Sequence, residues 1–600
     1  MNITTLKTHI KNHPKAWGHS LLLLIWIIIG TWLRFTLLEE KPPWADEFST
    51  MIFSLGNSYR TVPLNTVISI DTLLQPLQPN PEVGINSVIN NLMTESTHPP
   101  VYFILTHLWL KLFSPQQGLV SLWAARALSA ILGVVAIPAI FSLAWVVFDS
   151  IVIAQIAAGM MAVSPFGVYL AQDARHYTLA ILLIMAALGC FIKAYHNIIK
   201  HQNLSIFITL TWLIINVLGI AVHYFFALSI CAQGLVLMRL WINNIILPYF
   251  QPDKEKKSLI FRPWLRIYLV AIGSFIGGLV WLPFWKDISD NNLTEWIYQD
   301  NILQNFLAPI ARILAGGITM LSLLPLEKQP LPITIICGGI MALFLIVSLP
   351  LLWQGAKMQM QGENNLSWRS LGEYILAAIF VMLCITYLKR TDLTLAARYQ
   401  FIYFPALLLF LASSIAVYWQ ENHVFFPLPK INYFLASKKA VILILIMGLL
   451  GGITVAYHLG YQKSDRSDLV APIILQQQLT ADKIPVLIAN VQKTHEQTGE
   501  IMGIAWELKR LHYLYKLGKL PQLGANFPAN FPQFLLVHKS ENTQLITDRL
   551  HQILADFPRP VDMWTVNFSA QVQPEAQKCV NKSGPIQKVS GYNYRLYQCL

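Results

Sequence analysis

Leu21-Leu22-Leu23-Leu24-Ile25-Trp26-Ile27-Ile28-Ile29-Gly30-Thr31-Trp32-Leu33-Arg34-Phe35-Thr36-Leu37-Leu38 is an apolar run interrupted by one charge, Arg34. Its length is close to the ~20 residues a helix needs to cross a bilayer. It follows Lys7, Lys11 and Lys15, as the core of a secretory leader would. No small-x-small cleavage site comes after it, so it reads as a retained first span. The chain then turns polar at Glu39-Glu40-Lys41-Pro42-Pro43-Trp44-Ala45-Asp46-Glu47-Phe48. Asp46 and Glu47 therefore fall where lipid gives way to water.

Runs of this kind recur as far as Tyr457, in a chain of 600 residues that is 55% hydrophobic and 12% charged. The mean hydropathy is positive, +0.49. The pattern predicts an all-α polytopic membrane protein. Spans are expected near 20–38, 122–147, 151–171, 177–195, 205–221, 224–246, 264–284, 332–353, 371–388, 398–418 and 439–458. Val101 to Phe113 is short and carries His107 and Lys111, so it reads as an amphipathic helix on the outer surface. Leu307 to Leu324 reads as a similar surface helix or a further span. The total is odd, roughly eleven to thirteen.

Orientation follows the placement of Lys and Arg. The N-terminal tail, Lys193 and Lys200, the group Lys254, Lys256, Lys257, Arg262 and Arg266, the pair Lys357 and Arg369, and the group Lys430, Lys438 and Lys439 mark the inner side. The inner loop near Asp149 lacks such residues. Glu39 to Glu95 carries Asp46, Glu47, Asp71 and Glu82, and Lys286 to Asp300 carries Asp287, Asp290, Glu295 and Asp300; both are assigned outside. The N-terminus is thus expected to be cytoplasmic, in a plasma (inner) membrane. The net charge of +12 then reflects loops facing anionic lipid, which argues against a nucleic-acid partner.

Beyond Tyr457 the composition becomes polar. Short apolar runs, Pro485-Val486-Leu487-Ile488-Ala489 and Phe534-Leu535-Leu536-Val537, alternate with helical stretches such as Gly503 to Leu517. That alternation predicts a small α/β domain over 461–600, following a membrane domain over 1–460 whose first outer loop is 39–121. An odd span count places the tail outside. Cys190, Cys231, Cys337 and Cys384 fall in spans, while Cys579 and Cys599 fall in the tail. An oxidising compartment permits a disulfide between that last pair; two free thiols are the alternative.

Five polar clusters map to the outer face. They are Asp46-Glu47; Ser96-Thr97-His98-Pro99-Pro100-Val101-Tyr102; Gln172-Asp173-Ala174-Arg175-His176-Tyr177 after Ser164-Pro165; Val222-His223-Tyr224-Phe225; and Lys389-Arg390-Thr391-Asp392 leading to Ala397-Arg398-Tyr399-Gln400. The paired prolines would start a helix and hold His98 at its N-terminus. Each cluster has a plain alternative: ordinary acidic residues in a loop after a span at Asp46-Glu47, an Asp173–Arg175 ion pair, an interfacial His223–Tyr224 pair, a span capped by Arg398, a structural turn at His98. Yet Lys389, Arg390 and Arg398 together violate the positive-inside trend, and a basic cluster on the outer side suits an anion. Ionisable groups at the membrane edge are costly, and those that persist tend to be functional.

Together these motifs resemble the membrane-embedded glycosyltransferases of the C fold (GT-C), specifically the family 39-like branch of protein O-mannosyltransferases and lipid A aminoarabinose transferases. The match runs over about residues 20 to 420. It rests on Asp46-Glu47, on His98-Pro99-Pro100, on Gln172 to Tyr177, and more weakly on Arg398-Tyr399. The resemblance implies a polyprenyl-phosphate-sugar donor, a lipid, glycan or protein acceptor, and chemistry on the extracytoplasmic face. It implies Asp46 as general base, with Glu47 as assistant or alternative. An acceptor attacking the anomeric carbon would lose its proton to that base, with inversion. The leaving lipid phosphate needs positive charge rather than a protonating acid, unlike the carboxylate pair of glycoside hydrolases. Arg398, Arg175 and Arg390 are the candidates for it, since guanidinium grips phosphate oxygens as a fork. Asp173 would bind the acceptor or orient Arg175. His98, His176, Tyr177, Tyr399 and His223 would line the sugar and acceptor site. Some relatives use a divalent cation, for which Asp46 and Asp173 are the residues at hand; no ligand set is legible.

Other classes fit less well. A transporter or flippase for a lipid-linked or polar solute would place charges at the midplane and repeat its halves. An acyl or phosphoethanolamine transferase would want a nucleophile or metal cluster in its soluble part, where only His495-Glu496 stands out. A non-catalytic scaffold would have no need of Asp46, Asp173 and Arg398.

Overall fold

A computed structural model of the chain describes residues 14–246, 257–283, 292–298, 305–420, 437–460, 465–480, 484–520, 527–528, 530–540, 542–570, 572, 574 and 578–600. Lys7, Lys11, Lys254, Lys256, Lys286 and Lys430, with Asp287, Asp290 and Asp300, lie outside them. The chain divides into two compact units. One comprises Met1–Leu38, Arg126–Ser289 and Thr294–Tyr461; the other comprises Glu39–Ala125, Asp290–Leu293 and Gln462–Leu600. The long loop after the first span thus groups with the polar tail, not with the spans that flank it.

Among the described residues seven helices are long and apolar enough to cross a membrane: Trp17–Phe35, Leu122–Phe148, Tyr177–Ile199, Phe226–Ile246, Leu331–Gln361, Asn365–Leu388 and Lys438–Ala456. The protein is a multi-pass membrane protein. Ile151–Val163 and Pro165–Ala171 form an eighth span if counted together, bent by 56° at their junction. Three further expected spans are shorter apolar helices, Ile206–Val222, Pro263–Leu279 and Phe404–Trp419. Leu307–Leu321 is a helix of 15 residues, below the length of the seven.

The bend has a local cause. Pro165 has no N–H, so the carbonyl of Met161 loses the donor that an unbroken helix would supply. The buried guanidinium of Arg34 replaces it: Nη2 donates to Met161 O at 2.9 Å and Nη1 to Ala162 O at 3.0 Å. Ser164 starts the second segment by accepting from Gly167 N, while its hydroxyl donates to Met320 O at 2.7 Å. The one charge of the first apolar run is therefore a structural plug for a broken neighbour.

The second unit is built on a seven-stranded sheet in the order β1-β3-β2-β4-β7-β5, with β6 paired to β7. The strands are β1 (Val67–Ile68), β2 (Val486–Gln492), β3 (Gln533–His538), β4 (Val561–Val566), β5 (Cys579–Asn581), β6 (Gln587–Val589) and β7 (Tyr592–Cys599). β3, β2 and β4 run parallel; β7 returns antiparallel to β4. Between β2 and β3 lies the helix His495–Lys516, opened by a capping box in which Thr494 and Gln497 satisfy each other's backbone N–H. Between β3 and β4 lies the helix Thr543–Ala555. Alternate residues of the strands, Leu487, Ala489 and Val491 with Leu535 and Val537, bury against Ile546, Leu550 and Leu554, the period-two pattern of a strand face. The expected strands and helix in the tail are all present. Cys579 and Cys599 face each other across β5 and β7 and are disulfide-bonded.

The first long loop completes this sheet. β1 pairs antiparallel with β3, Val67 opposite Leu535 and Ile68 opposite Phe534. Asn65 accepts from His538 N, 473 residues away. Lys509 pairs with Asp71 at 2.5 Å. The helix Val101–Leu110 buries Tyr102, Phe103, Thr106, His107 and Leu110, while Leu105 and Leu108 are exposed.

Candidate functional site

In the span-bearing unit, three turns far apart in sequence converge. The first, 172–176, joins the helices Pro165–Ala171 and Tyr177–Ile199. It is pinned from both sides. Gln172 Nε2 donates to Leu33 O at 3.1 Å and Thr36 O at 2.9 Å. Ser129 Oγ donates to Arg175 O at 2.8 Å. The second turn holds His223, which ends the helix Ile206–Val222. Phe225 N–H donates to His223 Nδ1 at 3.1 Å, which puts the proton of the neutral ring on Nε2. The third is the short helix Ala397–Ile402.

Aromatic contacts tie these turns together. His176 and His223 have ring centroids 4.4 Å apart, and Tyr177 lies 4.9 Å from His176. Phe401 contacts both His223, at 4.9 Å, and Tyr177, at 5.6 Å. Phe225 meets Tyr399 at 4.7 Å. At the end of this chain of rings the Arg398 guanidinium lies 5.7 Å from the Trp296 ring and 5.5 Å from the Tyr399 ring, within cation–π range. Exposure is uneven. Asp173, Arg175, His176, Tyr177 and His223 are all buried, although a turn between spans reads as exposed in sequence. Arg398 and Tyr399 are half-buried, and Trp296 is exposed. Arg390 sits on an exposed turn with φ +54°.

A groove of about 210 Å³ lies in the same unit, lined by Pro165, Phe166, Tyr169, Leu323, Val455 and the polar pair Arg312 and Thr394. Arg312 belongs to the helix Leu307–Leu321. It pairs with the buried carboxylate of Asp392, and its Nε donates to Thr394 Oγ1 at 3.0 Å. Asp392 also accepts from the backbone N and hydroxyl of Thr394. Gln400 Nε2 donates to Arg312 O at 3.2 Å, and Gln400 Oε1 accepts from the Tyr403 hydroxyl at 2.8 Å. A Cβ at Gly316 would fall 1.9 Å from Gln400 Oε1, so a larger residue there would have to displace the Gln400 amide. Arg312 was not singled out in the sequence. Its signal is a lone arginine in an apolar helix whose acidic partner, Asp392, lies in a motif already noted.

In the other unit, Asp46 and Glu47 occupy the first turn of the helix Ala45–Ser54, where carboxylates suit the positive end of the helix dipole. They differ sharply. Glu47 is fully buried, at 0% exposure, whereas Asp46 is half-exposed. Ala45 N–H donates to Asp465 Oδ2 at 3.0 Å, anchoring the helix start to the tail. His495, stacked on Tyr59 with centroids 4.8 Å apart, is held down to about 4 by burial, partly offset by the charge of Asp46. His98 shares a hydrogen bond with Ser96, Oγ to Nδ1 3.0 Å, and lies 5.8 Å from the Phe103 ring. Among the described residues no group of three or more His, Cys, Asp or Glu side chains could hold a metal ion.

No protein-family profile matches the chain, and no curated protein matches it. Several solved structures are similar in outline. The ArnT of Cupriavidus metallidurans bound to undecaprenyl phosphate superposes with a TM-score of 0.48 at 12% identity, covering 97% of this chain and 98% of that one. The oligosaccharyltransferase of Archaeoglobus fulgidus in its apo form gives 0.43 at 12% identity, over 82% of this chain and 64% of that one. AglB from the same organism, in complex with an inhibitory peptide and a dolichol-phosphate, gives 0.42 at 12% identity, with the same two coverages. At such scores the likeness says nothing about any residue's role.

Proposed function

We propose that this chain is an integral membrane glycosyltransferase of the GT-C kind, moving a sugar from a polyprenyl-phosphate donor to an acceptor on the extracytoplasmic face. The observation that carries the reading is the convergence of the Asp173–Tyr177, His223 and Arg398–Tyr399 turns into one ring-linked cluster at the ends of apolar helices. Buried ionisable groups at such a place are expensive to keep.

Within this reading Arg398 holds the donor phosphate. Its half-exposed guanidinium lies over Trp296 and Tyr399, and a guanidinium fork suits phosphate oxygens. Arg312, at the apolar groove, is a second candidate, suited to a phosphate that carries a prenyl chain. Asp173 and Arg175, both enclosed, serve as positioning residues beneath the cluster. His176, Tyr177 and His223 shape the sugar side. Asp46 is the general base: it is the accessible carboxylate of its pair, and Glu47, sealed in the fold, supports its helix. A base removing the acceptor proton as the new bond forms would give inversion.

The test is transfer from radiolabelled polyprenyl-phosphate sugars by wild type and Asp46→Asn in lipid nanodiscs, with mass spectrometry of the products. Transfer by the wild type alone supports the reading. Equal transfer by both removes Asp46 from its role, and no transfer by folded wild type from any donor counts against the function itself.

A further inference from the structure

The second unit contains a cleft that the transferase reading leaves unused. It measures about 1040 Å³ and opens where the parallel strands end. The chain leaves β2 through the helix His495–Lys516 toward β3 on one side, then crosses back through Thr543–Ala555 to β4 on the other. β2 and β4 are neighbours whose onward connections diverge. In open α/β sheets this divergence opens a crevice at the carboxyl ends of the strands, where ligands bind. The cleft is that crevice: Lys493, Gln497 and Glu500 line it after β2, and Asn567 and Phe568 line it after β4.

Its lining is chemically specific. Lys493, Lys539, Lys588 and Arg595 bring four cations to one cavity. Two of them are forced together. Lys539 N–H donates to Gln492 O at 2.8 Å, extending the β2–β3 ladder by one residue and setting Lys539 beside Lys493. Lys493 is lowered first by burial and then by the charge of Lys539. The remaining lining differs in kind. Glu500, whose carboxylate accepts from Asn567 Nδ2 at 2.7 Å, Gln497 and Asn593 offer hydroxyl partners, and Phe568 with Tyr594 offers apolar ring surface.

We propose that this cleft binds a phosphorylated saccharide, its phosphate between Lys493 and Lys539 and its hydroxyls toward Glu500 and Asn593. The site lies within one unit and does not depend on the transferase reading. The saccharide can be free or the headgroup of a lipid; the phosphate and hydroxyl chemistry is the same.

The experiment is calorimetric titration of the full chain in neutral phosphatidylcholine nanodiscs with glucose 1-phosphate, inorganic phosphate and methyl glucoside. Glucose 1-phosphate should bind saturably, inorganic phosphate more weakly and competitively, and methyl glucoside not at all. The double variant Lys493→Gln/Lys539→Gln should weaken glucose 1-phosphate at least tenfold. The double variant should unfold at no lower a temperature than wild type, which controls for folding. A parallel titration in nanodiscs containing a phosphoglycolipid separates the sources: reduced binding of the soluble sugar there assigns the lipid headgroup, and unchanged binding assigns the free sugar. Equal affinity of wild type and the double variant, or methyl glucoside bound as well as the phosphate, overturns the proposal.

Discussion

The guanidinium of Arg34 supplies the hydrogen bond that Pro165 denies to the carbonyl of Met161, at 2.9 Å. A charge inside a transmembrane run is thereby tied to the break in another span.

Arg34→Met should therefore act on stability first. It strands the Met161 and Ala162 carbonyls in an apolar surround, and hydrogen bonds from a charged donor are worth about 1.5–3 kcal/mol. Thermal unfolding of the purified protein in detergent should show a drop of that order, with Arg34→Lys intermediate. An unchanged melting temperature would remove the plug from the account.

Asp46→Asn and Glu47→Gln should separate. The first should reduce turnover by about 10²–10⁴-fold, the usual range for a lost general base, at unchanged melting temperature. The second, at a site with no exposure, should lower the melting temperature while activity per folded molecule survives. The reverse pattern would exchange their roles.

Arg398→Lys keeps the charge but loses the fork and the flat face set against Trp296 and Tyr399. Donor KM should rise about tenfold, a change of about 1.4 kcal/mol, with kcat little altered. Trp296→Ala should move the same parameter in the same direction. A change confined to kcat would place Arg398 elsewhere in the cycle.

Two groups of the second unit should tilt stability with pH in opposite senses. His495 is held down to about 4, so the unfolded chain binds its proton first and stability is lost as pH falls from about 6.5 toward 4. Burial pushes Glu500 up to about 7, a shift reduced by its hydrogen bond from Asn567 and increased by the charge of Asp465. The folded state therefore binds that proton first, and stability is lost as pH rises from 4.5 to about 7. Melting temperatures across pH 4–8 should show Glu500→Gln gaining on wild type toward pH 7. His495→Phe should gain toward pH 4. Parallel curves for wild type and variant would contradict either assignment.

What the sequence made legible was what depends on local pattern. The apolar helices declare themselves by length, and the tail strands by apolar runs between helices. The bend at Ser164-Pro165 lies inside a segment that reads as one span, because a hydropathy window sees composition and not direction. β1 is two residues long, and Val67-Ile68 has no pattern of its own; its partner Leu535-Phe534 determines it. The grouping of Glu39–Ala125 with the tail follows from such pairings. In the candidate site, Asp173, His176, His223 and Tyr399 could be named from chemistry and membrane side. The packing of His223 and Tyr399 could not, since it comes from Phe401 and Phe225, ordinary aromatics in sequence. Arg312 escaped because the charge that holds it, Asp392, stands in another segment.

The pairing of β1 with β3 has a consequence for biosynthesis. A sheet edge that waits for its partner is open to wrong pairing, and here β3 is synthesised long after β1. The segment around Val67 must remain uncommitted on the membrane surface while almost all the spans are inserted. Every product truncated before β3 would then carry an orphaned loop, recognisable to quality-control proteases long before any activity could be measured.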